Sequence, residues 1–200
     1  MTKDVIRLAE NLIIGKGRDR ICYEHPTQTN LCIKISFNSN KQSIREVKYF
    51  NYLTQKNKDL SHISRFVSMI DTDKGDGYVF ELIRNDNQQV SKTLRQCLES
   101  NVFSLEYIRP KLIELKNYLI TNEICVRDIS PSNICFKETT TGFKLYIISG
   151  VSNPTINPLN IRIRRFINAS IDKAWLGLER KLIRIEKSLT ITNNNETNRL

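Results

Sequence analysis

Long apolar runs are missing from this sequence, and no stretch reaches the ~18 residues that a membrane-spanning helix needs. Histidine occurs only as His25 and His62, far apart and without a cysteine at ligand spacing, which argues against a zinc site. Neither histidine sits in a motif that resembles a Ser-His-Asp constellation. The five cysteines, Cys22, Cys32, Cys97, Cys125 and Cys135, are odd in number and form no C-x-x-C pair. They therefore suggest neither a disulfide framework nor a metal cluster, and a reducing cytoplasm is the compartment expected. No Lys/Arg block of five or six occurs, nor any RNP, zinc-finger or basic-zipper pattern. Nucleic acid is accordingly not the partner expected. Residues 1–10 carry Lys3, Asp4, Arg7 and Glu10 among their apolar positions and do not read as a signal peptide.

What remains is an ordinary folding composition, 40% hydrophobic and 26% charged over 200 residues, with a net charge of +10. A pI near 9.5 biases the surface towards polyanions, nucleotides or acidic lipid head groups.

The pattern predicts an α+β chain with a β-rich first part and a helical second part. Leu12–Ile14, Arg20–Glu24 and Leu31–Ser36 are β-prone runs separated by turn residues. A helix is expected from Ser43, with Ser43 as N-cap and Glu46 completing a capping box, up to Thr54. Phe66–Asp71 and Tyr78–Ile83 read as a hairpin across Asp73–Gly77. Residues 1–84 are thus expected to form five strands and one helix, and 84–89 to be a linker. Thr93 with Gln96 signals a second capping box. The spacing of Leu105, Ile108, Leu112, Leu115 and Leu119 gives one stripe of a long helix, in which Pro110 marks a first turn or a kink. Residues 124–136 and 143–148 read as a further hairpin. A basic helix is expected over 161–189, ending the second part (85–189), and 190–200 as a disordered tail.

Four pieces carry candidate chemistry. Gly15-Lys16-Gly17, between two strands, lets backbone N–H groups approach phosphates, although a plain hairpin turn explains it as well. Lys34 lies in the strand Leu31-Cys32-Ile33-Lys34-Ile35, where alternation sets Cys32, Lys34 and Ser36 on one face; a solvated lysine is the simpler alternative. Glu46, on the next helix, is placed to pair with Lys34, or to sit in solvent beside Arg45 and Lys48. Val126-Arg127-Asp128-Ile129-Ser130-Pro131-Ser132-Asn133 matches H-R-D-L-x-x-x-N in register, with valine for histidine. In that arrangement the aspartate orients a substrate hydroxyl and the asparagine binds magnesium. A polar turn between buried strands is the alternative.

In order and spacing these pieces resemble the protein-kinase-like superfamily with its two-lobed fold. Within it, the runs Gly15–Pro26, Cys32–Ile35, Arg45–Tyr49 and Gly77–Phe80 are similar to the small bacterial YrbL family, the PhoP regulatory network proteins. The resemblance implies ATP held near Gly15, Gly17, Lys34 and Glu46, with Glu81 to Ile83 as the hinge against adenine. It also implies Asp128 and Asn133 as catalytic residues, and Mg²⁺ on Asn133. Two departures stand out. Arg20 occupies the place of the third glycine, and Ser149-Gly150-Val151 stands where Asp-Phe-Gly would follow a strand. A serine hydroxyl brings no full charge to Mg²⁺, and no Ala-Pro-Glu motif follows. The expectation is a nucleotide-binding regulatory protein with weak or absent phosphotransfer. The rivals are an active kinase for a small-molecule or protein acceptor, and a scaffold whose basic C-terminal helix meets a partner, an anionic membrane or nucleic acid. For the last, Ile161, Ile163, Phe166 and Ile167 lie among Arg162, Arg164 and Arg165. Oligomeric state is not legible.

Overall fold

A computed structural model describes residues 5–37, 39–152 and 164–197, with side chains described up to residue 189. It is a mixed α+β protein, β-rich first and helical afterwards. Strands β1 (Ile13–Lys16), β2 (Arg20–Glu24), β3 (Leu31–Ser36), β4 (Phe66–Thr72) and β5 (Gly75–Glu81) form an antiparallel sheet in the order β1-β2-β3-β5-β4. β-branched and aromatic residues fill both faces of its centre. One face gathers Ile21, Tyr23, Ile33, Ile35 and Val79 under Leu8 from the N-terminal strap. The other turns Cys32, Tyr78 and Phe80 towards helix α1 (Lys41–Gln55), which supplies Tyr49, Phe50 and Leu53. The alternation read from β3 is therefore present, but both faces are buried.

Helix α1 corrects the sequence reading at its start. It begins at Lys41 with Asn40 as N-cap, so Ser43 lies inside the helix, where its hydroxyl meets that of Ser36 at 3.2 Å. Glu46 is thereby free of any capping duty and points into the protein.

Strand β6 (Lys92–Thr93) pairs with β7 (Ile134–Thr139), and β7 with β8 (Gly142–Ile147), in a second, three-stranded antiparallel sheet. Helix α2 (Leu94–Glu99) opens on the Thr93–Gln96 capping box. Helix α3 (Leu105–Thr121) opens on the Ser104 side chain and buries Leu105, Ile108, Leu112, Leu115 and Leu119, the five positions of the stripe. Pro110 sits inside this helix rather than in its first turn.

Helix α4 (Arg164–Thr197) packs Ile167, Ile171, Trp175, Leu178 and Leu182 onto the same core. Its charges are partly spent on α3, through Lys116–Asp172 at 2.8 Å and Arg109–Glu179 at 3.4 Å. The helical backbone continues to Thr197, into the stretch expected to be a disordered tail. Ile161, Arg162 and Ile163, invoked above for membrane contact, lie outside the described residues. Of the two described members of that apolar group, Ile167 is core and Phe166 is exposed.

One apolar cluster runs from Cys32 and Phe80 of the first sheet through Phe136 and Ile147 of the second to α3 and α4. Segment 62–64 stitches the two parts: Ser64 N–H donates to Ile147 O, and Ile147 N–H to His62 O, each at 2.9 Å. Among the described residues no helix is long and apolar enough to cross a membrane.

Candidate functional site

The end of β8 passes beneath the first sheet and brings three of the expected residues together. Lys34, on β3, is buried and donates from Nζ to the carbonyl of Ile148 at 2.6 Å, with its ammonium 3.7 Å from the centroid of the Phe80 ring. No carboxylate pairs with it among the described residues. The expected Lys34–Glu46 pair is not formed, because Arg20 reaches Glu46 first. The Arg20 guanidinium donates to both Glu46 oxygens, at 2.5 and 3.3 Å, and to Ser149 Oγ at 2.5 Å. Glu46, 1% exposed, also accepts the Gly150 N–H at 3.1 Å. Arginine suits this position because its planar fork serves a carboxylate and a hydroxyl at once.

Gly150 is required by geometry. Its φ of +87° is left-handed, and a Cβ there would lie 2.2 Å from the Asp128 carbonyl oxygen. That close approach locks the 126–133 loop under the end of β8, together with Arg127 N–H to Gly150 O and Ile148 N–H to Asn133 O, both 2.9 Å. Asn133 Nδ2 donates to the Asp128 carbonyl at 3.2 Å. The Asp128 carboxylate faces the other way, towards α4, where Lys181 Nζ holds it at 2.8 Å.

The remaining expected residues frame the same region. Gly15 and Gly17 do not adopt a left-handed conformation, and a side chain on Gly15 would meet nothing within 4 Å. The loop is a hairpin closed by Gly17 N–H to Arg20 O at 2.8 Å, with open space above Gly15. At the expected hinge, the Glu81 carbonyl accepts from Ser64 Oγ at 2.7 Å and the Glu81 carboxylate pairs with Arg65. The Ile83 carbonyl accepts from Ser91 N–H at 3.0 Å, while the Ile83 N–H has no acceptor among the described residues. Cys22, Cys32 and Cys135 are free thiols near one another in the interior. Burial pushes the Cys135 thiol up to about 12, and the Cys32 thiol together with burial raises Cys22. Neither is a nucleophile at neutral pH.

The donor set does not suit Mg²⁺. Asp128 is held by Lys181, and the place expected to carry the metal-binding aspartate presents a hydroxyl already bonded to a guanidinium. A fixed positive charge there opposes a second cation. Only the Asn133 amide oxygen remains from the expected metal site. No group of three or more His, Cys, Asp or Glu side chains is arranged to hold a metal ion among the described residues.

Sequence reasoning singled out Lys34, Glu46 and Asp128 but missed what they touch. Arg20 was legible as a departure from the glycine pattern, without a hint that it reaches Glu46 and Ser149. Lys181 carried no local signal, because 52 intervening residues separate it from Asp128.

Comparison with known proteins places this chain in a family. The family model described as PhoP regulatory network protein YrbL matches residues 6–183. The YrbL protein of Escherichia coli strain K12 is 33% identical over 162 residues, which cover 78% of this chain and 77% of that protein. The YrbL protein of Shigella flexneri matches with the same identity and coverage. The chain belongs to the YrbL family.

Proposed function

We propose that this YrbL-family chain is a kinase-like, nucleotide-binding regulatory protein in which phosphotransfer is weak or absent. The observation that carries the reading is Lys34. Its Nζ is buried against one carbonyl and one aromatic face with no carboxylate beside it among the described residues, and burying a cation without a counter-ion is costly. A nucleotide phosphate is such a counter-ion, approaching through the open space over Gly15. The Ile83 N–H, without an acceptor among the described residues, offers a donor to an adenine edge. Regulation through binding suits a family whose description ties it to the PhoP regulatory network.

Weak transfer follows from Arg20 and Ser149. Their contact replaces a metal-binding carboxylate by a guanidinium that orients and partly neutralises phosphate oxygens. A guanidinium already tied to Glu46 can bind polyphosphate through its remaining donors, but it does not bridge two phosphates in line as a metal does. ATP and not Mg²⁺ is therefore the ligand proposed.

The test is a thermal-shift titration with ATP, with and without Mg²⁺. ATP raises the melting temperature of the wild type equally in both series, and Lys34→Met, which keeps the aliphatic stem, abolishes the rise. Lys34→Arg retains part of it. No shift at millimolar ATP, or a shift untouched by Lys34→Met, removes the nucleotide reading. Activity is tested with Ser149→Asp alone and with Arg20→Gly/Ser149→Asp. The single variant stays inactive, because the new carboxylate pairs with Arg20; the double variant gains Mg²⁺-dependent ATP hydrolysis. A brisk wild-type rate overturns the weak-transfer half.

A further inference from the structure

Asp128 faces away from Lys34 into a cavity of about 370 Å³ between its own loop and helix α4, and the charges around that cavity are not balanced. Its walls include Arg127, Asp128 and Ile129 from the loop, and Ser170, Lys173 and Gly177 from the helix. On α4, Ser170, Lys173, Ala174, Gly177 and Lys181 recur at steps of three and four, so they share one helical face. Small residues form the floor of that face, and a Cβ on Gly177 would meet nothing within 4 Å. The two walls are tied together: Ser170 Oγ donates to Val126 O at 3.3 Å, and Lys181 Nζ to Asp128 Oδ1 at 2.8 Å and Ile129 O at 3.3 Å. The cavity is thus built from fixed elements and is large enough for a small molecule.

Its one acid, Asp128, is already matched by Lys181. The Arg127 and Lys173 side chains have no hydrogen-bond or ion-pair partner among the described residues. Two cations without a partner among the described residues, beside a matched acid, give an excess of positive charge around a small, solvent-open pocket. An oxyanion answers it, and arginine offers a phosphate two parallel donors. Asp128, at the same wall, spends one carboxylate oxygen on Lys181 and has lone pairs left for a hydroxyl donor.

We propose that this cavity binds a small phosphorylated alcohol, with Arg127 and Lys173 on the phosphate and Asp128 on a hydroxyl. The hydroxyl part rests on the kinase-like reading of Asp128; the phosphate part stands on the cavity and its cations alone. The volume excludes a folded protein as the occupant. Arg95, in the adjoining cavity beyond Lys181, is matched by Glu99 at 2.7 Å and takes no part.

The experiment uses no nucleotide, so it is independent of ATP binding. The full chain is titrated with glycerol 3-phosphate, inorganic phosphate and glycerol by calorimetry. Trp175, the single tryptophan, reports from the same helix beside Ala174 by fluorescence. Saturable binding is expected in the order glycerol 3-phosphate, phosphate, glycerol. Arg127→Ala and Lys173→Ala each weaken it by about tenfold or more, as loss of a charge-assisted hydrogen bond does. Arg95→Ala leaves it unchanged. Both cationic side chains are exposed, so the variants fold, which circular dichroism confirms. Absence of saturable binding, or binding that survives Arg127→Ala/Lys173→Glu, overturns the site. Equal affinity for phosphate and glycerol 3-phosphate overturns the hydroxyl contact. Glycerol 3-phosphate binding in a protein that ignores ATP separates the two proposals, upholding this one while the nucleotide reading falls.

Discussion

Replacing Glu46 by alanine tests the tie between helix α1, strand β2 and the end of β8. The Glu46 carboxylate is 1% exposed, accepts twice from Arg20 and once from the Gly150 N–H. Removing one partner of a buried ion pair costs ~3–5 kcal/mol, because the other charge is left without compensation. An orphaned N–H at Gly150 carries a further penalty of ~1–3 kcal/mol. Both losses arise from one carboxylate and overlap, so about 4 kcal/mol is expected in total. Against a typical total of ~5–15 kcal/mol this is a large fraction. At ~2–4 °C per kcal/mol for a chain of this size, the melting temperature falls by roughly 8–16 °C. Glu46→Gln keeps the shape and the Gly150 contact and loses clearly less. Urea unfolding followed by circular dichroism gives the free energies, and a cycle with Arg20→Met isolates the pair. A loss below ~1 kcal/mol in Glu46→Ala, or additivity of the two changes within ~0.5 kcal/mol, refutes the reasoning.

Two further outcomes follow from the same geometry. Gly150→Ala must adopt a left-handed φ, at ~1–2 kcal/mol, and push its Cβ off the Asp128 carbonyl, so it destabilises more than Gly142→Ala, whose φ is +136° but whose Cβ meets nothing. Thermal unfolding compares them, and an equal or smaller loss in Gly150→Ala sinks the argument. His25 is buried, and its Nδ1 accepts the N–H groups of Thr27 at 3.3 Å and Gln28 at 3.2 Å. Burial lowers its pKa, so the unfolded chain takes up a proton that the folded chain resists. The stability this group contributes is complete above the unfolded value of about 6.5 and declines as pH falls below it. His25→Asn flattens the urea midpoint between pH 7.5 and 5.5 relative to wild type; identical declines would show that His25 does not set the slope.

The fold was legible where one local rule decided the outcome. The Leu105–Leu119 stripe, the Thr93–Gln96 cap and the alternation of β3 are short-range patterns, and each survives in the structure. Ser43 failed as a cap because two signals competed. A Ser-x-x-Glu spacing looks the same whether glutamate folds back on its own helix or reaches across to another element, and the half-buried Arg20 guanidinium settled the choice. Of the two readings of Pro110, the first-turn one falls, since the Ser104 hydroxyl caps the helix several residues earlier. The contacts that define the site span 26, 129 and 53 positions, between Arg20 and Glu46, Arg20 and Ser149, and Asp128 and Lys181. No window on the sequence contains them.

The two departures read from the sequence therefore belong together. Arginine for glycine at position 20 and serine for aspartate at 149 look like separate erosions of a pattern when read along the chain. In space they form one contact, and each makes sense of the other. An arginine fork beside Glu46 leaves a donor to spare, and a neutral hydroxyl accepts it without adding a second negative charge to a buried cluster. An aspartate at 149 would bind the same guanidinium and remain closed to metal, whereas a glycine at 20 would leave Glu46 buried without its counter-charge. Changing either position alone thus costs stability or gains nothing, and only the joint change opens a carboxylate to a cation.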